Sequence, residues 1–591
     1  MTGRTLVAIS LLAAARICAQ PVSGDILPLA DVKAGQRGEV WTVFQGTKPE
    51  PFTVEVTGII RNALGPGKSI ILCRLTDPRV QNMGAVAGMS GSPLYIDGKF
   101  AGALSYQVQQ FETVRFAGFT PAADMAEVAD RVDEGASENL QPGASGEPVP
   151  SASSAGADAT LRAMEPVFAL GGISPRTASI MAPLFGSLGI GIVALGGSSQ
   201  GSQDGSAPAQ PVAGPALQPG DAVSVALTTG DITLAGTGTV SRVDGNRVVA
   251  FGHPMLGLGD VQMPLCSAEV VAILPSNLQS VKMANVGPVI GCISQDRLSA
   301  VSGLLGAGPE MTDVEVIAGR RGSAPRTIHF QVVREKHIAP MIMLAGLAEA
   351  VLGSNDSEAG EGFRIVSTVV FSPGQEITRE SVYAGQQGFA AGMVEFVTNL
   401  SAELQNPFEK TMPRSVEFRV EPLETNPAVT VEQFQVSRTV VRPGEILQAT
   451  LAWRDFQGGE ESCTIDIPVD PSWAGKTVEL LAVPGPVLDE LTGHGRTFRA
   501  GQLRSFEAYV DAMKGKRPED GLCVAVVEKS ALFFDQAVAT PDAPASIERI
   551  AGASDPARYQ RREALIPLWE THVLPGKVAV ADFHKTVRVA E

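Results

Sequence analysis

Apolar residues along this chain come in short runs, alternating or unbroken, set between glycine, proline, asparagine and aspartate. That is the pattern of strands joined by tight turns. Between residues 38 and 133 the runs 39–44, 52–60 and 69–75 predict strands. Asp97-Gly98 then marks a two-residue hairpin turn, with 99–108 as the returning strand. Thr120-Pro121 supplies an N-cap and a first helical residue for a helix running to 132. Together these predict a small closed sheet capped by a helix.

Strands resume at 222–227, 231–243 and 247–251, with Asp244-Gly245-Asn246 as a tight turn, and the third runs straight into Gly252-His253-Pro254. Further on, 327–335 and 363–371 read as strands, 339–352 as an apolar helix sealing a barrel end, and 392–404 as an amphipathic helix carrying Met393, Phe396, Val397 and Leu400 on one side. Beyond Pro413 the runs 415–420, 429–441, 446–453, 463–469 and 477–481 alternate as strands, which predicts an immunoglobulin-like sandwich, completed by a helix at 503–513 and strands at 522–527 and 577–580. Two stretches break the pattern, 134–160 and 196–214, both rich in Gly, Ser, Pro and Ala, and they read as linkers. The apolar stretch 180–195 between them is interrupted by Pro183, Gly186, Gly189 and Gly191, so a buried segment or docking strand is expected in place of a membrane span.

Composition supports this picture. A chain of 591 residues with 63 Gly, 41 Pro and 18% charged residues has the turn content of a mainly β protein and the length of several domains. The net charge of −17, with no basic cluster, excludes a nucleic-acid partner. Six cysteines contain no Cys-x-x-Cys pair, so neither a metal nor any other cofactor is expected. Cys18 falls in a leader: Arg4, an apolar run at 6–15 and a small residue closing Ile17-Cys18-Ala19 read as a signal peptide over 1–19, which predicts export to the periplasm or the extracellular space. The other five cysteines are an odd number, leaving at least one free thiol, with Cys266–Cys292 and Cys463–Cys523 as candidate pairs.

The candidate chemistry lies in Gly88-Met89-Ser90-Gly91-Ser92-Pro93. A serine hydroxyl becomes a nucleophile when a base sits beside it and free backbone N–H groups can hold the oxyanion, and flanking glycines let the main chain turn sharply enough for both. An ordinary surface turn uses the same residue types. His253, projected by the Gly-His-Pro turn, is the candidate base, and the N–H groups of Gly88 and Ser90 are the candidate oxyanion hole. Two acids compete to orient the histidine, Asp77 thirteen residues before the serine and Asp260 seven residues after the histidine. Either could equally be a turn-capping aspartate. The α/β-hydrolase elbow, Gly-x-Ser-x-Gly, is not met, because residue 92 is serine.

Ile71-Leu72-Cys73-Arg74-Leu75-Thr76-Asp77-Pro78-Arg79, the Ser90 turn and Gly98-Lys99-Phe100-Ala101-Gly102-Ala103 together resemble the serine half of the SpoIVB sporulation-signalling peptidase family. Gly236-Thr237-Gly238-Thr239-Val240 and Val248-Val249-Ala250-Phe251-Gly252-His253 resemble its histidine half. The resemblance implies a chymotrypsin-like double β-barrel and a serine endopeptidase with Ser90 as nucleophile, His253 as base and Asp77 as acid. In that family the histidine half comes first, so this chain reads as circularly permuted. The expected organisation is a serine-bearing half-barrel at 22–133, linkers with an apolar segment at 134–220, a histidine-bearing half-barrel with packing helices at 221–412 and a C-terminal β-rich domain at 413–591. The expected partner is a protein or peptide substrate, including the chain's own linkers. The competing expectation is an inactive peptidase-fold scaffold or binding protein of the cell envelope.

Overall fold

The computed structural model describes residues 24–108, 115–137, 161–164, 167–193, 197–198, 216–275, 280–320, 323–353, 361–372, 374–404, 412–492, 505–535, 538–541, 544–554 and 559–591. The predicted leader and most of both predicted linkers lie outside these residues. The protein is mainly β.

The first barrel follows from the alternation at its start. Its strands are β1 (Arg37–Val43), β2 (Pro49–Ile60), β3 (Ile70–Leu75), β4 (Pro93–Ile96), β5 (Lys99–Val108) and β6 (Phe116–Pro121), with helix α1 (Pro78–Met83) between β3 and β4. Antiparallel pairing runs β1–β2–β3–β6–β5–β4 and returns from β4 to β1, closing a six-stranded ring. Val40, Phe52, Val54, Val56, Ile71, Leu75, Leu94, Leu104 and Phe119 fill it. The predicted helix is α2 (Ala122–Ser137), but its expected N-cap and first residue are not part of it: Thr120 and Pro121 end β6, opposite Ala103 and Gly102, and Thr120 Oγ1 donates to Gly252 O across the barrels. Ala122, Met125, Val128 and Ala129 of α2 share a core with Trp41, Tyr95 and Phe100 of the first barrel and with Val249 and Ala300 further on. The helix is therefore a wedge between two units as well as a cap on one.

After β7 (Leu161–Ala163), β8 (Phe168–Gly171), α3 (Pro175–Ser187), β9 (Ile192–Val193) and β10 (Gly197–Ser198) come β11 (Ala222–Gly230), β12 (Thr233–Asp244), β13 (Arg247–Ala250), β14 (Gly259–Leu274), β15 (Val281–Arg297) and β16 (Ala300–Leu305). These last six close a second ring in the order β11–β12–β13–β16–β15–β14 and back to β11. Two six-stranded barrels, serine-bearing then histidine-bearing, thus follow one another along the chain.

The second barrel opens into a larger sheet through β18 (Ser323–Val333), which pairs β11 and β17 (Met311–Arg320). Strands β19 (Phe363–Ser372), β20 (Gln375–Tyr383) and β21 (Ser415–Pro422) extend it. Strand β21, which the alternation assigned to the sandwich, instead lies parallel to β17 and antiparallel to β19. Helix α4 (Ala339–Ala348) is buried on every side, as an all-apolar helix must be, and α5 (Gly385–Leu404) turns Phe389, Met393, Phe396 and Leu400 into the same core.

The stretch at 180–195 takes the first of its two expected forms, a buried segment: 175–187 is helix α3 with one face in the core, followed by the short β9. Ser174 caps the helix, Pro175 sits at its first turn, and Ala178, Met181 and Phe185 repeat at helical spacing into the core. Gly189, with φ +74, ends the helix as a left-handed residue. Among the described residues no helix is long and apolar enough to cross a membrane.

The C-terminal strands are β22 (Ala428–Val436), β23 (Val440–Val441), β24 (Ile446–Asp455), β25 (Glu460–Pro468), β26 (Thr477–Val483), β27 (Leu522–Asp535), β28 (Val538–Pro541), β29 (Tyr559–Val573), β30 (Val578–Val580) and β31 (Phe583–Val589), with helices α6 (Gly485–Thr492), α7 (Phe506–Lys514) and α8 (Ala545–Ser554). One sheet has the order β25–β24–β22–β30 and the other contains β23, β31, β26, β27, β28 and β29. Phe434, Leu447, Leu451 and Ile467 of the first meet Leu480, Leu522, Val524 and Val587 of the second in one core, which makes a sandwich. Cys73, Cys266, Cys292, Cys463 and Cys523 are free thiols, so the two candidate disulfides do not form. Cys266 faces Val289 and Cys292 faces Pro264 in their ladder, while Cys463 and Cys523 belong to different sheets.

Candidate active site

The Ser90 turn connects α1 to β4 and is buttressed from the second barrel. Gly88 and Gly91 take φ of +97 and +91, a region that side chains with a Cβ disfavour. At Gly91 a Cβ would stand 2.1 Å from the Thr239 carbonyl oxygen and 2.4 Å from the Phe251 nitrogen, so only glycine fits. Strand β12 holds the turn by its carbonyls. Thr239 N–H donates to Ser90 O at 2.8 Å, Thr239 Oγ1 to Gly88 O at 3.2 Å and Ser241 Oγ to Gly91 O at 2.7 Å. Alternate amides of the turn are consumed as well, Met89 N–H by Val86 O at 2.9 Å and Gly91 N–H by Leu104 O at 2.7 Å. The amides that alternate with them, those of Gly88 and Ser90, donate to no acceptor among the described residues. These are the two groups assigned to the oxyanion hole from sequence.

His253 is delivered by two consecutive left-handed residues, Phe251 at φ +69 and Gly252 at φ +68. A left-handed phenylalanine costs about 1–2 kcal/mol, offset here by burying its ring over Gly238. Gly252 lies against the first barrel, where a Cβ would meet Ser105 Oγ at 2.4 Å, and its carbonyl accepts from Thr120 Oγ1 at 2.6 Å. The imidazole Nδ1 donates to the Pro254 carbonyl at 2.7 Å, which fixes the tautomer. Nε2 is buried and has no hydrogen-bond partner among the described residues. Burial pushes the His253 pKa down to about 4, the Pro254 carbonyl partly opposing it, so the ring is neutral at pH 7 with the Nε2 lone pair free. Ser90 and His253 are each 1% exposed and both sit where the two barrels meet. No hydrogen bond joins Ser90 Oγ to the ring.

Neither aspartate proposed from spacing touches His253. Asp77 caps α1, accepting from Arg79 N–H at 2.9 Å and from the Arg79 guanidinium, which holds its carboxyl below the usual range. Asp260 accepts from Gln295 Nε2 at 3.0 Å and Arg297 Nη2 at 2.8 Å. The acid nearest the histidine loop is one that spacing did not single out, Asp296 of β15, 1% exposed. Its carboxylate accepts the N–H groups of Met255 at 2.7 Å, Leu256 at 2.8 Å and Gly257 at 2.8 Å, which pins the chain immediately after His253-Pro254. Burial raises its pKa and those amides oppose the rise. A glycine-rich loop full of free amides was the available signal that a buried acceptor had to exist. Among the described residues no cluster of His, Cys, Asp and Glu could hold a metal ion.

Residues 18–114 match the family described as SpoIVB peptidase S55, a stretch containing Asp77, Gly88 and Ser90 but not His253. The chain is thus similar to SpoIVB-type serine peptidases over the part of its first barrel that runs from β1 to β5. No curated protein and no solved structure matches the chain.

Proposed function

We propose that the protein is an exported serine endopeptidase of SpoIVB-like type, with Ser90 as nucleophile, His253 Nε2 as general base and the amides of Gly88 and Ser90 as oxyanion hole. The observation that carries this reading is His253 Nε2: a buried nitrogen, neutral at pH 7, with no partner, at the same barrel interface as the Ser90 turn. Ser90 Oγ attacks the carbonyl carbon of a peptide bond while its proton passes to Nε2, and the displaced electron pair settles on an oxygen facing the two free amides. Collapse breaks the C–N bond, Nε2 returns the proton to the leaving amine, and water then hydrolyses the acyl-enzyme. The imidazolium formed in between donates Nδ1–H to the Pro254 carbonyl, in the position a carboxylate takes in a Ser-His-Asp triad, and Asp296 keeps that carbonyl in place through the next three amides.

The serine barrel precedes the histidine barrel, and we read this order as a circular permutation of the family's. Self-cleavage within 134–160 or 196–214 belongs to the same reading. Because Ser90 and His253 are almost fully buried, an opening step must precede attack, and that closure favours the second reading, an inactive scaffold.

Labelling of the full-length protein with a fluorophosphonate separates the two. The peptidase reading expects slow labelling of the wild type that is lost in Ser90→Ala and suppressed at least 100-fold, on the order expected for a missing base, in His253→Ala. No labelling of folded wild type, or labelling that survives Ser90→Ala, leaves the scaffold.

A further inference from the structure

A buried lysine abuts the Ser90 turn at Gly88. Lys282, at the start of β15, is 4% exposed. Its strand grips the residues leading into the turn: Ala87 N–H donates to Ser280 O at 2.9 Å and Lys282 N–H to Ala87 O at 2.8 Å. The side chain then lies along Gly88, with Cβ, Cδ and Cγ at 2.8, 3.5 and 3.6 Å from where a Gly88 Cβ would be. Its Nζ donates to Thr42 Oγ1 of β1 at 3.1 Å, and Thr42 is itself fully buried. An ammonium ion has three protons to place, and one hydroxyl accepts only one of them.

Among the described residues no counter-ion stands against Lys282. Strand β1 offers Thr42, β14 sets Ile273 opposite it in register, and the turn offers Gly88. Burial alone accordingly pushes its pKa down to about 7, with no charged group contributing. A methionine could fill the same space without that cost, so packing does not explain the amine. The stem of this side chain packs on Gly88 while its amine sits at Thr42 without an anion, and the one place on the adjoining turn where negative charge would arise is the oxyanion of acyl transfer.

Resting on the serine-peptidase reading of this site, we propose that Lys282 is a positioning residue of the Ser90 turn, whose ammonium form stabilises the negative charge gathered by the Gly88 and Ser90 amides. The other ionisable groups of the site, His253 and Asp296, are engaged with the 254–257 backbone and do not contribute to the Lys282 shift. His253 titrates near 4, well below Lys282, so the two limbs separate in a pH profile.

The test is the rate of fluorophosphonate labelling at pH 6 and pH 8.5 for wild type, Lys282→Met and Lys282→Arg, with Ser90→Ala as blank. At pH 6, where Lys282 is charged, Lys282→Met labels about tenfold more slowly than wild type, roughly the effect of one charge placed behind the reacting groups. At pH 8.5, where Lys282 has lost its proton, the two rates converge, and Lys282→Arg keeps the faster rate at both values. Thermal melts show that each variant is folded, and removal of a buried charge should leave Lys282→Met at least as stable as wild type. A wild-type to Lys282→Met ratio that is equal at the two pH values reduces Lys282 to packing and overturns the inference while leaving Ser90-dependent labelling intact. Labelling absent from the wild type, or present in Ser90→Ala, overturns the peptidase reading and this inference with it.

Discussion

Two glycines of the serine barrel share a left-handed backbone yet differ in what surrounds them. Gly91 at φ +91 has the Thr239 carbonyl oxygen 2.1 Å from its would-be Cβ, whereas Gly98 at φ +77 has nothing within 4 Å. Gly98→Ala should therefore cost only the strain of an L-residue in that region, about 1 kcal/mol, and Gly91→Ala at least about 3 kcal/mol, because backbone of the second barrel must also move. Urea unfolding of the two variants checks the difference, and equal costs would mean that the barrels do not press on the turn. Sequence exposed both glycines as turn formers, and even marked Gly88 and Ser90 as the amides to watch. It could not tell Gly91 from Gly98, since the atoms that confine Gly91 come from residues about 150 positions later.

At the scale of elements, local signals were read well and long-range acceptors poorly. The Asp97-Gly98 hairpin formed because everything it needs lies within a few residues, whereas the helix expected to open at Thr120-Pro121 opens at Ala122, because those two residues are drawn into the β5–β6 ladder. For 180–195 the interrupting proline and glycines pointed to a buried segment or docking strand without specifying a helix, because the helix start, Ser174-Pro175, lies before that stretch, and β21 was misplaced because alternation says nothing about which sheet a strand joins. The same blindness affects the acids: Asp77 does what Asp before Pro commonly does, capping α1, while Asp296 finds its partners some forty residues upstream. Asp296→Asn replaces one acceptor oxygen by a donor facing amide N–H groups. The expected result is a loss of about 2–3 kcal/mol of stability and at least a tenfold fall in Ser90 labelling, as the chain after His253 loosens. Asp77→Asn, which retains a capping oxygen, and Asp260→Asn should each label within about threefold of wild type. Labelling rates and thermal melts of the three variants decide which acid supports the histidine, and a large loss in Asp77→Asn alone would return that role to the acid of the family pattern.

For the molecule as a whole, the strands were legible one by one and the first closed sheet was expected from their pattern, but the pairing of two such barrels was expected only through the family resemblance, because pairing partners leave no trace in a single strand's pattern. What makes the halves one unit is a set of contacts independent of their order along the chain. Thr239 and Ser241 bind the carbonyls of Ser90, Gly88 and Gly91, Thr120 binds Gly252 O, Gly46 pairs with Val270 and Ala87 with Val281, and β7 from beyond the 138–160 segment adds to β5 at the edge of the first barrel. Helix α2 buries its apolar face between them. Continuity through residues 138–160 is not among these contacts. A site-specific protease sequence placed near residue 145 should therefore give, after cleavage, two fragments that co-elute as a species of the intact mass and retain Ser90 labelling. This is also the physical condition for circular permutation, since a site built at a non-covalent interface survives when its halves change places in the chain. Fragments that separate under native conditions, or that stay together but lose labelling on cleavage, would make the covalent order of the barrels part of the site and remove the ground for reading that order as a permutation.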